Sequence, residues 1–364
     1  MSATDALSIS VIVASHQRPK WLRRCLTGLS QLDYPNFEIV VAADDIGLAA
    51  IADHPASPHI KTVTSPEANI SRTRNLGIAA AAGDLVAFID DDAVPEPLWI
   101  QFHAEALAVT KAAATVGYVR GRNGISFQSR AESVDAEAET HSEQSLSESP
   151  FVPTLATGRA VKLVGTNFAV RRDALQEIGG FDEAFRYYLD DTDLSLRLAS
   201  AGHRAAVAPL AEVHHATAPS ARRTPARRPR NLHEIGRSTA HFLEKHSNAS
   251  ESAFQRMIDR ERRRLLRHLI NGTCEPRDIS RILATLKQGW REGKQGISQP
   301  ECKIEAPQHP FRRFPAMPSG HRVISERLIG QRANVGAGER ISLFRFSRTT
   351  LRHHVGFVEP GIWL

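Results

Sequence analysis

Residues 85–97, LVAFIDDDAVPEP, run an apolar stretch directly into three aspartates. A short apolar run of this length reads as a buried strand. What ends it is the question, because Asp90, Asp91 and Asp92 repel one another unless water solvates them or a cation sits among them. A divalent ion shared with a phosphate and a solvated acidic turn both satisfy that condition. The flanking sequence narrows the choice. ISVIVAS (9–15) has the same buried-strand character, and PKWLRRCLTGLSQL after it spaces Trp21, Leu22, Cys25, Leu26 and Leu29 as a helix does. FEIVVAADD (37–45) reads as a second strand ending in Asp44 and Asp45, and HIKTVTS (59–65) as a third. SRTRNLGIAAAAGD (71–84) predicts a helix with Ser71 as N-cap and Gly83 at its stop. Strands alternating with helices predict an α/β, doubly wound sheet. Ligands of such sheets sit beyond the carboxyl ends of the strands, where Asp44 and the triplet both fall.

The middle of the chain is less regular. YVRGRNGISFQ (118–128) has strand character broken by glycines, and the acidic, serine-rich run 131–150 reads as a mobile loop. KLVGTNFAVRR (162–172) is strand-like, and RDALQEIGGF ends a short helix at Gly179-Gly180. YYLDDTDLSLRLASAGH (187–203) predicts a helix whose first turn holds Asp190, Asp191 and Asp193; acidic residues there suit the helix dipole, which alone would explain one or two of them. RAAVAPLAEVHH (204–215) closes a further strand on two histidines, and its alternation puts Val213 and His215 on one face.

Length and composition bound the rest. At 364 residues, one large domain with an extension, or two domains, is expected. A hydrophobic fraction of 41% permits a substantial core, while no uninterrupted apolar run is long enough to span a bilayer. The N-terminus lacks signal-peptide character, and Cys25, Cys274 and Cys302 lie too far apart to indicate a disulfide framework; both favour the cytoplasm. The net charge of +6 concentrates in RRTPARRPR (222–230) and RERRRLLRH (260–268). Such stretches form solvated faces, or bind nucleic acid, anionic membrane or an anionic substrate. The chain has no GxxxxGK[ST] loop, no GxGxxG after its first strand and no HExxH. Phosphate can still be held another way, by a hard divalent cation on oxygen ligands, which aspartates on a strand-end turn provide.

The order of these segments resembles the family 2 inverting glycosyltransferases of the GT-A fold. ISVIVASHQRPKWLRRCLTGL is similar to the family's opening strand and helix, FEIVVAADD to its second strand, SRTRNLGIAAAAGDLVAFIDDDAVPEP to its arginine helix and DxD turn, and GGFDEAFRYYLDDTDLSLRLASAGHR to its base segment. The resemblance implies a Rossmann-like mixed sheet flanked by helices over residues 1–220, and a basic, mainly helical extension over 221–364. It implies a metal-dependent transfer of sugar from a nucleotide diphosphate, UDP favoured, to a hydroxyl of a glycan or lipid-linked acceptor. Asp44 and the strand-end Ala14 match positions at the nucleotide, Arg74 and then Arg72 match the arginine near it, and Asp90 and Asp91 match contacts to ribose or metal-bound water. Asp92, with Asp90 and His215, matches the metal position, for Mn²⁺ or Mg²⁺; an imidazole ligand leans towards Mn²⁺. Asp191 matches the general base, Asp190 its partner, and Asn167, with Gly165 and Thr166, the acceptor border. Trp99 reads as core.

Two rivals remain open. A sugar-phosphate nucleotidyltransferase also uses paired aspartates, but leaves Asp191 without a task. A nucleic-acid binder would use the arginines, but the acidic strand ends would repel its phosphates, so no nucleic-acid partner is expected. Peripheral membrane contact through the basic extension is an expectation too, and the oligomeric state is left open.

Overall fold

The structure is a computed structural model. It describes residues 6–315 apart from 144–146, 216–217, 219, 221, 248–250, 297–302 and 308, and beyond them the strands 321–325, 340–344, 357–358 and 362–363. Cys302 lies outside the described residues.

In chain order the elements are β1 (Ile9–Ser15), α1 (Pro19–Leu29), β2 (Phe37–Ala43), α2 (Asp45–Ile51), β3 (Lys61–Thr64), α3 (Ile70–Ala80), β4 (Leu85–Asp90) and β5 (Ala93–Pro95). Then follow α4 (Trp99–Thr110), β6 (Ala114–Arg120), β7 (Phe127–Ser129), β8 (Glu132–Asp135), β9 (Thr140–Ser142), β10 (Arg159–Val161), β11 (Asn167–Arg171) and α5 (Arg172–Glu177). The last are α6 (Asp190–Ser200), β12 (Ala205–His215), α7 (His233–His246), α8 (Glu251–Ile270) and α9 (Pro276–Gly293).

One sheet organises the molecule, in the order β3-β2-β1-β4-β11-β6-β12-β5, with β7 on β6. β1 to β4 are mutually parallel; β11 runs antiparallel to β4 and β6, so the sheet is mixed, as the resemblance implied. β1 and β2 are buried along their whole length, which is why they read as continuous apolar runs. Helix α1 starts on Pro19, whose fixed φ suits a first turn, and buries Leu22, Cys25, Leu26 and Leu29 against the sheet. Gly77 lets α3 lie on β1, since a Cβ there would meet Ile12 Cγ2 at 2.6 Å. β5 turns back after the aspartate triplet and pairs with the end of β12, setting Ala93 opposite His215. That pairing brings two distant sequence segments to one place.

Three local expectations need correction. The N-cap of α3 is Asn69, whose side chain accepts the Arg72 amide; Ser71 instead donates its hydroxyl to Phe185 O at 2.7 Å. The helix ends at Ala80, not Gly83, because the backbone turns extended at Ala81. The acidic run 131–150 is not a loop throughout: over 132–142 it forms β8 and β9, which pair antiparallel with each other, and β8 pairs with β10 in a three-stranded sheet. Ser133 and Val134 are buried, and the charges meet cations from elsewhere, Glu132 on Lys162 at 3.2 Å and Glu139 near Arg260 at 3.7 Å.

The helical extension shares a core with the region before it. Phe242, Leu243, Met257, Leu286 and Trp290 cluster with Phe185, Leu189 and Leu196 and with Val134 of β8. Beyond α9 the chain returns to the sheet: the Phe314 amide donates to Phe37 O at 2.7 Å, their rings lie 5.3 Å apart, and the Arg312 amide donates to buried Glu38 at 2.8 Å.

Candidate active site

The aspartate triplet sits where β4 ends beside β1, and its members have three different surroundings. Asp92 is buried. Its Oδ2 accepts the Ala218 amide at 2.7 Å and the Arg18 guanidinium, with Arg223 Nη2 3.7 Å away. Its Oδ1 lies 3.0 Å from His215 Nε2. Burial opposes its ionisation, but His215, Arg18 and the Ala218 amide together hold it well below the usual carboxylate range. Asp91 is enclosed as well, taking Arg18 Nη1 at 2.7 Å on one oxygen and the Ser15 hydroxyl at 2.7 Å on the other. Burial, then the charge of Asp92, pushes it up to about 7 against the pull of Arg18. Asp90 is half-buried and accepts from Thr166 Oγ1 at 2.6 Å and Arg74 Nη2 at 3.2 Å.

Arg74 ties this turn to α6. Its buried guanidinium pairs with Asp190, reaches Asp90, and donates to Gly165 O at 2.9 Å, with the Phe181 ring beneath it. Burial alone would lower its pKa, but Asp190 and Asp90 raise it, so it stays charged. Asp190 is pushed up to about 7 by burial, with Asp191 adding and Arg74 opposing. Next to it, Asp191 is half-buried; one oxygen accepts the Gly165 amide at 2.7 Å and the other lies 3.2 Å from the Thr192 hydroxyl. Gly165 has no room for a side chain, since a Cβ would meet Arg74 Nη2 at 2.8 Å and Asp191 Oδ2 at 3.2 Å. Tyr188 and Leu189 enter α6 at φ +75° and +68°, a left-handed pair of non-glycine residues that costs about 1–3 kcal/mol each. The surrounding packing sustains that entry and fixes the direction of the first turn.

Asp90, Asp92 and His215 each offer one ligand atom, all within 4.8 Å of one another. The donor set suits a divalent ion. His215 Nδ1 faces the Gln128 amide oxygen at 3.1 Å. In that orientation Nδ1 carries the proton, so a neutral imidazole turns the lone pair of Nε2 towards a carboxylate oxygen. Two acceptors at 3.0 Å need a cation between them, a proton or a metal. His214 is engaged elsewhere, 2.6 Å from Glu96.

Other expected residues stand at the edges. Ala14, on β1, is in register with Asp90. Asp44 caps α2 through the Gly47 amide and takes the Gln17 amide, each at 3.0 Å. Arg72 is exposed and pairs with Glu67 at 2.9 Å, away from Arg74. Asn167 is fully buried: its amide donates to Tyr118 O and Ala211 O, and its oxygen takes the Trp99 indole at 2.7 Å and faces His103 at 2.9 Å. It braces the sheet beneath the site and does not line it. Trp99 is core, as expected. Asp193 anchors α7, meeting Arg197, Lys245 and His246 at 2.7–2.9 Å. Sequence reasoning missed Arg18, Gln128 and Ser15. Ser15, the last residue of β1, and Arg18, in the turn after it, sit where a strand-end rule would look for them.

The family described as "Glycosyltransferase like family 2" matches residues 6–232. The chain belongs to this family. Its sheet is mixed and flanked by helices. The chain is 27% identical over 214 residues to the pre-mycofactocin glycosyltransferase of Mycobacterium tuberculosis, covering 57% of this chain and 42% of that one. The succinoglycan biosynthesis protein ExoM of Rhizobium meliloti is 30% identical over 223 residues, 58% of this chain and 67% of its own. The chain thus spans from about two fifths to two thirds of these relatives' length. The solved structure of GalNAc-T7 with UDP, GalNAc and Mn2+ overlays 66% of this chain and 48% of its own at a TM-score of 0.49 and 15% identity. Among the described residues, no helix is long and apolar enough to cross a membrane.

Proposed function

We propose that this glycosyltransferase moves a sugar from a nucleotide diphosphate, UDP favoured, to an acceptor hydroxyl, with inversion at the anomeric carbon and Asp191 as general base. The supporting observation is the placement of Asp191: half-buried, held by the Gly165 amide, and joined through Arg74 and Asp190 to the DxD turn. Its carboxylate takes the acceptor proton while Arg74 keeps Asp190 and Asp90 from crowding it with unbalanced charge. Gly165 holds one carboxylate oxygen and Thr192 the other, which fixes the orientation of the group that receives the proton. Attack from the side opposite the leaving diphosphate inverts the centre.

Asp90, Asp92 and His215 would hold Mn²⁺ or Mg²⁺, which when bound neutralises the diphosphate as the glycosidic bond breaks. Asp44 and Ala14, at the ends of β2 and β1, would border the base of the nucleotide. Polysaccharide biosynthesis is the setting that the ExoM likeness suggests, with a glycan or lipid-linked acceptor. The work would be done in the cytoplasm.

The test is Asp191→Asn, the change closest in shape. The reading expects kcat to fall about 10²–10⁴-fold, with the affinity for UDP in the presence of Mn²⁺ unchanged. Full activity of the variant would remove Asp191 from the base role. An anomeric product of retained configuration, seen by NMR, would remove inversion.

A further inference from the structure

Helix α8 carries its arginines in two unlike halves. In the first half they are neutralised from within the chain: Arg256 pairs with Glu137, and Arg260 lies 3.7 Å from Glu139, both on the β8–β9 hairpin. In the second half, Arg262, Arg263 and Arg267 are exposed and have no ion-pair partner among the described residues. The acids of the following turn are already taken, Glu275 by Arg277 at 2.7 Å and Asp278 by Arg281 at 2.7 Å and Arg228 at 3.0 Å. On the same helix face, one and two turns along from Arg263, lie Leu266 and Ile270, 41% and 82% exposed. The opposite face, Phe254, Met257, Ile258 and Leu265, is buried in the shared core, so α8 is rigidly mounted with this patch outward.

We propose that the outer face of α8 from Arg262 to Ile270 docks the glycosyltransferase on an anionic bilayer surface. The guanidiniums would meet lipid phosphates while Leu266 and Ile270 enter the boundary between headgroups and acyl chains. Basic residues interleaved with solvent-exposed aliphatics match that boundary, which offers both environments within a few ångströms. A nucleic-acid backbone would use the arginines and leave Ile270 in water. A second copy of the chain has little to offer this face, since the acidic hairpin is occupied by Arg256 and Arg260. This inference stands apart from the assignment of Asp191.

The experiment is flotation of the full chain with vesicles of phosphatidylcholine alone and with about one third phosphatidylglycerol, at low and at physiological salt. The wild type is expected to float with the anionic vesicles only, and less so as salt rises. R262E/R263E/R267E should weaken partitioning by about 100-fold or more, from about fivefold per arginine. L266S/I270S should weaken it by about tenfold at unchanged charge. Arg256→Ala should leave it unchanged. All of these positions are outside the site and the varied patch is solvent-exposed, so melting temperatures and donor binding should match the wild type, separating lost docking from lost folding. Absence of wild-type flotation, equal binding to both vesicle types, or flotation indifferent to the arginine changes would each overturn the proposal. So would tight binding of polyuridine that L266S/I270S leaves untouched and that outcompetes the vesicles, which would make the face a nucleic-acid surface.

Discussion

Two arginines each bridge two aspartates in this site, and water reaches them unequally. Arg18 joins Asp91 and Asp92 with its side chain 21% exposed, whereas Arg74 joins Asp90 and Asp190 at 5%. Redundancy differs too. Around Asp92, His215 and Arg223 also bear on the carboxylate, and Arg24 donates to its backbone oxygen at 3.0 Å. Among the described residues, Asp90 and Asp190 have ion pairs with Arg74 alone. One corner is therefore adaptable and the other depends on a single side chain. A cation-binding corner must tolerate a change of charge; a corner that positions a base must not.

The largest expected effect follows from that dependence. Arg74→Ala leaves two carboxylates facing each other without a counter-charge, one of them fully enclosed, and should cost about 3–5 kcal/mol of stability. Arg74→Lys keeps the charge but cannot serve Asp190, Asp90 and Gly165 O with one planar fork, and should fall between. Urea unfolding midpoints rank the series. An Arg74→Ala variant no less stable than Arg18→Ala would break the comparison.

The pH dependence of stability comes next in size. Asp91 and Asp190 are both pushed up to about 7, so in the folded chain they bind more protons than in the unfolded chain between about pH 4 and 7. Stability therefore falls as pH rises through that window, by on the order of 1 kcal/mol per pH unit for each group. Asp193 has the opposite sign. Burial opposes its ionisation, but His246, Arg197 and Lys245 lower its pKa, so its contribution is present at neutral pH and lost as pH falls below the ordinary carboxylate range. Asp190→Asn should flatten the loss between about pH 4 and 7 while leaving the contribution of Asp193 intact. Melting curves across that range check it, and an unchanged slope would mean that Asp190 is ionised throughout.

What was legible in the sequence was what local pattern determines. Continuous apolar runs gave the buried strands, and Asp44, Asp90 and Asp191 could be placed because strand ends and first helical turns have recognisable chemistry. The acidic run at β8–β9 was misread because its composition suits disorder when considered alone. It folds because Lys162, Arg256 and Arg260 arrive from distant segments. Asn167 sat in the right motif, but β6, β12 and α4 close over it with four hydrogen-bonding partners, a fact of packing that no motif carries. Gln128 was invisible for the same reason: β7 brings it to His215 across 87 residues.

Gln128 offers a smaller test on the adaptable corner. Its amide oxygen holds the Nδ1 proton of His215 and so presents Nε2 as a ligand. Gln128→Ala should raise the Kd for Mn²⁺ about 10–100-fold, read directly from the electron paramagnetic resonance of the free ion. Unchanged affinity would mean that His215 is not a ligand.

The smallest effect, and the one that separates the two corners most sharply, is expected at Arg18. Its guanidinium bears on the Asp92 oxygen that also takes the Ala218 amide, in the carboxylate set that would hold the ion. A fixed positive charge beside that set competes with a bound cation. Removing it should bind Mn²⁺ about tenfold more tightly, roughly 1.4 kcal/mol. Stability should change little, because water, Arg223 and His215 remain to balance Asp92, while Asp91 can take up a proton in place of its lost partner. Arg18→Ala measured by Mn²⁺ titration and urea unfolding on the same sample distinguishes the outcomes. Tighter metal with near-native stability marks a corner built to exchange cations. Weaker metal would make Arg18 a support for the ligand geometry, and would place both arginines in the same structural role.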